Sequence, residues 1–344
     1  NNLKFRYSYG LIGNDQIGSA YDRFFYLSEV NMDDGGRGAV FGQEYNTRYN
    51  GISILRYSNP YISWEKSYKQ NFALEIGMWD ELSVIAEYFT EKRANILMSR
   101  ASIPNTMGLT ATPRANVGEA SGKGVDVMLE YQKVWSKDFW SSARANFTYA
   151  TSKYEVYEEP EYREPWRSRV GYSLHQARGY IAERLFVDDE EAASSPPQYI
   201  GTTIYGGGDI KYLDVNRDGK ITEADMVPIG HPTVPEIVYG FGVSTGYKGF
   251  DCSLFFQGAA RQSFWINPGG TAPFINDAQI LKAYADSYWS EENQDIYALW
   301  PRLTTYWNSN NFATSTWFMR DGSFLRLKQV EIGYTIPQRF TEKI

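Results

Sequence analysis

The stretch PEIVYGFGVSTGYKGFDCSLFFQ, from Pro235 to Gln257, constrains the chain more than any other. Taken in twos, Ile237, Tyr239, Phe241, Val243, Thr245 and Tyr247 share one face, and Val238, Gly240, Gly242, Ser244 and Gly246 share the other. Lys248-Gly249 turns the chain. Alternation then resumes with Phe250, Cys252, Leu254 and Phe256 against Asp251, Ser253 and Gln257. Period-two patterning on both sides of a Gly-bearing turn predicts a long β-hairpin. Strands of globular proteins run about 3–10 residues, whereas a strand tilted across a bilayer needs roughly 9–11. One face is apolar and aromatic and the other is small or polar, as in a barrel with lipid outside and a wet or plugged interior.

The pattern repeats. Leu3, Phe5, Tyr7 and Tyr9 alternate with Lys4, Arg6 and Ser8 from the start of the chain. A second hairpin runs from Glu65 to Met78, turns at Trp79-Asp80, and returns through Leu82, Val84, Ala86 and Tyr88. A third pairs Val125, Val127, Leu129 and Tyr131 with Ala143, Ala145, Phe147 and Tyr149 across the connection Lys133–Asp138. Asp126, Glu130 and Arg144 fall on the other side of these strands, where a dry core would not tolerate them but a large lumen would. Residues 10–50, 92–122, 153–234 and 261–322 read as long loops. Short turns alternating with long loops match the periplasmic and extracellular ends of an outer-membrane barrel. In the last run, SFLRLKQVEIGYTI, the apolar phase switches near Lys328, which predicts a β-bulge.

Bulk properties narrow the class. A chain of 344 residues suffices for one large barrel. Mean hydropathy is −0.47, and no run of apolar residues is long enough for a membrane helix, a test that alternating strands escape. Aromatic residues make up 16%, with 27 Tyr and 10 Trp, which suits interfacial girdles or a sugar-stacking surface. The net charge of −7 and the scattered basic residues exclude nucleic acid as the expected partner. Cys252, the single cysteine, has no internal disulfide partner and reads as a small hydrophobe. The chain opens in strand alternation and stops after a strand-like run, so it is expected to begin and end inside a larger protein.

One segment carries ion-binding chemistry. Asp214, Asn216 and Asp218 occupy positions one, three and five of an EF-hand-like loop, with Gly219 at six, the carbonyl of Lys220 at seven and Asp225 at twelve. This oxygen set predicts a structural Ca2+ clip, weakened because Asp225 is shorter than the usual Glu. The alternative is a metal-free Asx turn. Ile221 is expected to anchor the loop in a core. His175 and His231 have no zinc-site context. The acidic runs Glu155–Glu164 and Asp188–Glu191 read as solvated surface rather than paired catalytic carboxylates, so no enzymatic chemistry is expected.

Four segments together resemble the C-terminal half of SusC-like TonB-dependent outer-membrane transporters (the RagA/SusC family). They are Asn59–Gly77, Asn116–Tyr131, Tyr212–Gly258 and Arg320–Pro337, in the family's order. The resemblance implies that residues 1–344 form the C-terminal part of a 22-stranded transmembrane antiparallel β-barrel with long extracellular loops. The plug domain and closing strands then lie in the remaining segment of the same barrel. It further implies TonB-driven import of oligosaccharides or peptides with a SusD-like surface lipoprotein, in dimers of the transporter–lipoprotein pair, in the outer membrane of a Gram-negative cell. The rivals are a passive porin or adhesin barrel and a secreted, calcium-stabilised glycan-active enzyme. Tyr154, Tyr157, Tyr162, Trp166, Trp265, Trp289, Trp300 and Trp307 lie in the expected loops, as sugar-stacking or lipoprotein-packing candidates.

Overall fold

The computed structural model describes residues 1–15, 24–202 and 204–336. Pro337, the end of the last family-like motif, lies outside them, as do residues 16–23 of the first expected loop. The chain packs as two units. One takes in Asn1–Glu130, Ala150–Glu161 and Arg169–Ser173, and the other residues 131–149, 162–168 and the chain from Leu174 onward.

The first unit holds β1 (Asn2–Asn14), β2 (Glu29–Phe41), β3 (Thr47–Arg56), β4 (Glu65–Met78), β5 (Leu82–Ser99), most of β6 (Arg114–Ser136) and the end of β7 (Phe139–Val156). Its wall is antiparallel, in the order β1-β4-β5-β6-β7. Registers are unbroken, from Asn2↔Gly77 to Asn14↔Glu65 and from Lys66↔Ala94 to Met78↔Leu82. Trp79 and Asp80 both adopt left-handed φ, 57° and 54°, the turn whose twist matches flanking strands. The expected loop 10–50 is corrected: β1 runs into it as far as Asn14, and β2 lies within it and pairs as a separate ribbon with β3, which continues past it to Arg56. Its register shifts three times, and Gly35, Gly36 and Gly38 leave β2 no clean alternation to read.

The second unit contains a loop module with its own core. β8 (Arg178–Gly179) pairs β11 (Val227–Pro228), and β9 (Ala182–Leu185) pairs β10 (Ile210–Tyr212). β14 (Ser263–Trp265) pairs β15 (Met319–Asp321), and helix α1 covers Asp189–Ser194. Leu185, Phe186, Ile210, Ile221 and Phe318 are almost wholly buried. The wall of this unit follows the order β6-β7-β12-β13-β16, with β12 at Ile237–Tyr247, β13 at Phe250–Ala260 and β16 at Phe324–Tyr334. Lys248 and Gly249 turn the β12–β13 hairpin at φ 48° and 85°. The bulge stands where the phase switch puts it. Phe255 pairs Gln329 and Phe256 pairs Leu327, so Lys328 is the extra residue.

Strands outrun their apolar alternation. β5 continues to Ser99 and β6 begins at Arg114, so the expected loop 92–122 shrinks to residues 100–113. The connection expected over 133–138 shrinks to Lys137-Asp138. The polar extension of β5 is held by cross-strand charge: Lys92 to Glu119 at 2.9 Å and Arg93 to Glu65 at 3.5 Å. Such pairs satisfy an extended strand where no greasy face is needed. The loops 153–234 and 261–322 are likewise corrected, since β7 runs to Val156 and the module orders much of the rest.

Candidate functional site

The wall has two chemically opposite faces. In the first unit the rows Leu3–Ile76–Val84, Phe5–Leu74–Ala86 and Tyr7–Phe72–Tyr88 lie across β1, β4 and β5. Tyr7 and Phe72 meet with ring centroids 4.7 Å apart. In the second unit the rows Val243–Leu254–Val330 and Tyr247–Phe250–Tyr334 repeat the arrangement, with Phe250 and Tyr334 at 4.4 Å. These side chains touch one another along the wall and nothing among the described residues covers them: Phe5 is 76% exposed, and Ile332 on β16 is 78% exposed. An apolar surface continued over strand after strand is incompatible with water and suited to hydrocarbon.

The opposite face is charged or small. Lys4 and Arg6 reach Glu75 at 3.2 and 3.1 Å, Arg6 also pairs Glu87, and Asn71 donates to Glu87 at 2.9 Å. In the second unit the glycines of β12 explain themselves by close approach. A Cβ on Gly240 or Gly242 would lie 3.0 or 2.8 Å from the Phe255 ring, over which Arg144 stacks at 5.1 Å. The bare face of β12 is therefore filled by its neighbours. Ser244 and Ser253 share a hydroxyl hydrogen bond of 2.8 Å.

The EF-hand-like loop folds as its residue types dictate. Asp214 accepts from the N–H groups of Asp218 (3.2 Å) and Gly219 (2.8 Å), and Asn216 accepts from Asp218 N–H at 3.0 Å. Asp218 accepts from Lys220 N–H at 3.1 Å. Arg217 and Gly219 supply the left-handed φ values, 59° and 82°. Ile221 is buried and bonded on both sides, donating to Pro197 O and accepting from Tyr199 N–H, each at 2.8 Å. Asp225 sits wholly buried beneath the loop, where its carboxylate accepts from Val215, Asn216 and Thr222 N–H groups. Among the described residues no three His, Cys, Asp or Glu side chains form a metal-holding group, so Asp214, Asp218 and Asp225 are not gathered into one.

A second polar cluster escaped sequence reading. Asp209 is fully buried and takes Arg302 bidentately (3.2 and 2.6 Å), Asn308 at 3.1 Å, Asn311 at 2.8 Å and Gly206 N–H at 2.9 Å. Asn310 accepts from Gln198 at 2.7 Å and donates to Ile210 O at 2.9 Å. Nearby, the Arg184 fork holds the Glu191 carboxyl down to about 2, with help from Val187 N–H and Lys211. Burial pushes the Tyr180 hydroxyl up to about 12. Only local motifs mark themselves in sequence, and these partners are scattered over more than a hundred residues.

The aromatic candidates separate by burial. Trp289 and Trp300 are 7% and 3% exposed and belong to the module core, which removes them from any ligand-facing role. Trp265 packs against the same core, while Trp307 remains 56% exposed. Trp166 donates its indole N–H to Ala224 O at 2.9 Å. Glu158 is taken up by Arg100 and by the Ser102 hydroxyl and N–H, and Glu159 accepts from Arg169 N–H. Among the open cavities framed by described residues of single units, two stand out by size. One of about 320 Å³ lies in the first unit around Phe25 and Arg114, and one of about 620 Å³ lies in the module around Asp189 and Tyr306. Nothing in the residue pattern announces either.

No family model matches the sequence. The chain is 26% identical, over 363 residues, to "TonB-dependent receptor P3" of Formosa agariphila, covering 99% of itself and 33% of that relative. It is 20% identical, over 346 residues, to "TonB-dependent receptor SusC" of Bacteroides thetaiotaomicron, covering 97% of itself and 31% of that protein. It thus spans about a third of the length of the curated relatives it matches. Its fold matches a chain of the RagAB peptide importer in the open-open state, with a TM-score of 0.66 at 19% identity, over 99% of this chain and 34% of that one. A second RagAB peptide transporter structure matches with a TM-score of 0.66 at 21% identity, over 98% of this chain and 35% of that one. The fold is therefore all-β and antiparallel, of the β-barrel kind. The chain is thus similar along nearly its whole length to TonB-dependent receptors, SusC among them, and in fold to a chain of the RagAB peptide importer.

Proposed function

We propose that the chain is the C-terminal part of the barrel of a TonB-dependent importer in the outer membrane of a Gram-negative bacterium. The reading rests above all on the two-faced wall: exposed aromatic and aliphatic rows on one side, paired charges on the other. The rest of the barrel and its plug come from the remaining segment of the protein. Its cargo is an oligosaccharide or a peptide, captured with a SusD-like lipoprotein and released inward through TonB acting on the plug. Transporter–lipoprotein pairs assemble as dimers. Binding and displacement are the whole of the chemistry, with no covalent step.

The loop Asp214–Asp225 fits a hard cation in its donor chemistry, since every contributing atom is oxygen. Asp214, Asn216, Asp218, the Lys220 carbonyl and Asp225 would hold Ca2+, which would supply charge to brace the loop. The residues themselves already tie the loop to Pro197 and Tyr199. Trp166 lies against the loop through Ala224 O, so Tb3+ bound there should luminesce on indole excitation. Emission that Asp214→Asn and Asp218→Asn leave unchanged would refute the site.

The importer reading is tested by purifying the full-length protein from native membranes in detergent and identifying what travels with it. A plug-bearing segment and a lipoprotein are expected, and uptake should stop when a protonophore collapses the proton gradient. Uptake that survives the protonophore would overturn energised import in favour of a passive pore.

A further inference from the structure

The first-unit cavity of about 320 Å³ is large enough for a single ring with its substituents, within the range of ordinary ligand pockets. Its walls include Phe25, Leu55 and Ile62 as apolar surface and Glu29, Arg56 and Arg114 as charge. Phe25 is 5% exposed and pinned from behind, its carbonyl accepting from Asn59 N–H at 2.8 Å. Two guanidiniums stack on its ring, Arg56 at 5.8 Å and Arg114 at 5.4 Å from the centroid.

The two cations are not equivalent. Arg56 pairs Glu29 at 3.3 Å and donates to Leu27 O at 3.2 Å, so its charge is balanced. Arg114 has no anion or hydrogen-bond acceptor among the described residues. Its backbone is fixed, because Arg114 O accepts from Asn59 Nδ2 at 2.8 Å. Stacking occupies the flat face of a guanidinium and leaves its N–H edge free to fork onto a carboxylate. With Glu29 and Arg56 cancelling, the cavity wall keeps one net positive charge beside an aromatic floor.

We infer that this cavity is a subsite for a ring-bearing carboxylate, held by the Arg114 fork with its ring against the apolar wall around Phe25. The inference rests on the import reading and narrows its cargo to anionic molecules, whether a uronic sugar or a peptide's C-terminal carboxylate. The two sources share the chemistry and are separated by the probes.

The test is calorimetric binding to the intact detergent-solubilised protein with two acid–amide pairs. D-glucuronate is compared with D-glucuronamide, and N-acetyl-phenylalanine with its amide. At least one acid should bind roughly tenfold or more tightly than its amide, the ratio expected for one charge-assisted contact. The acid that does so names the source. Arg114→Gln should abolish the preference, and Arg114→Lys should retain only part of it, because an ammonium lacks the fork. Phe25→Leu should weaken binding of acid and amide alike. Acids bound no better than amides, or a preference untouched in Arg114→Gln, would overturn the subsite. Binding is read without transport, so an intact preference with failed uptake would count against the import reading alone.

Discussion

At the scale of single residues, charge does two different jobs in the loop module. Glu191 caps the packing of α1 onto β9 and β10 by forking with Arg184 and reaching Lys211 at 2.9 Å. Its folded pKa, about 2, lies below the ordinary 4.5, so its stabilising contribution is complete above pH 4.5 and drains away as the pH falls towards 2. The module's tryptophan fluorescence should therefore show a loss of stability across that window. Glu191→Gln should be less stable at neutral pH and flat through the window, and an unchanged acid profile in the variant would refute the assignment. Asp209 does the other job, as a buried hub. Asp209→Asn leaves Arg302 without its anion and should cost about 3–5 kcal/mol by denaturant unfolding. The two clusters differ in legibility. The turn from Asp214 to Asp225 reads directly from spacing, because the carboxylates find their backbone partners within the loop itself. Asp209 looks like any loop acid until Arg302, Asn308 and Asn311 are brought to it.

At the scale of elements, alternation made β4 and β12 readable to within a residue or two, the starts of β1 and β13 likewise, and Trp79-Asp80 and Lys248-Gly249 readable as turns. The rule failed where a strand's stability comes from something other than a greasy face. β2 is held by backbone pairing to β3 in a register that breaks where its glycines lie, and the far end of β5 by ion pairs with neighbours whose register the sequence does not announce. The wall's faces yield a sharp contrast. Val243→Arg places a cation among the exposed apolar rows and should cost roughly 2–4 kcal/mol in folding into vesicles. Ser8→Arg, on the charged face of β1, should cost under about 1 kcal/mol. Equal costs would mean that the faces are misassigned. Gly242→Val should also destabilise, by about 1–3 kcal/mol, because its side chain would collide with Phe255 and with the Leu254 carbonyl.

At the scale of the whole molecule, the all-β class and the family resemblance were both legible, because a barrel wall repeats its pattern often enough to be recognised. The module was not, since its core joins residues far apart, as where Tyr180 bridges Ser315. That same non-local stitching has a consequence for how the protein breaks. Glu291 to Asp295 form an exposed run between buried Trp289 and buried Trp300. A protease that cuts there severs the chain but not the Asp209–Arg302–Asn308 cluster, nor the Gln198–Asn310 bond that spans 112 positions. The two pieces should remain together through gel filtration in mild detergent and part only on denaturation, so that a nicked molecule passes for a whole one until it is boiled.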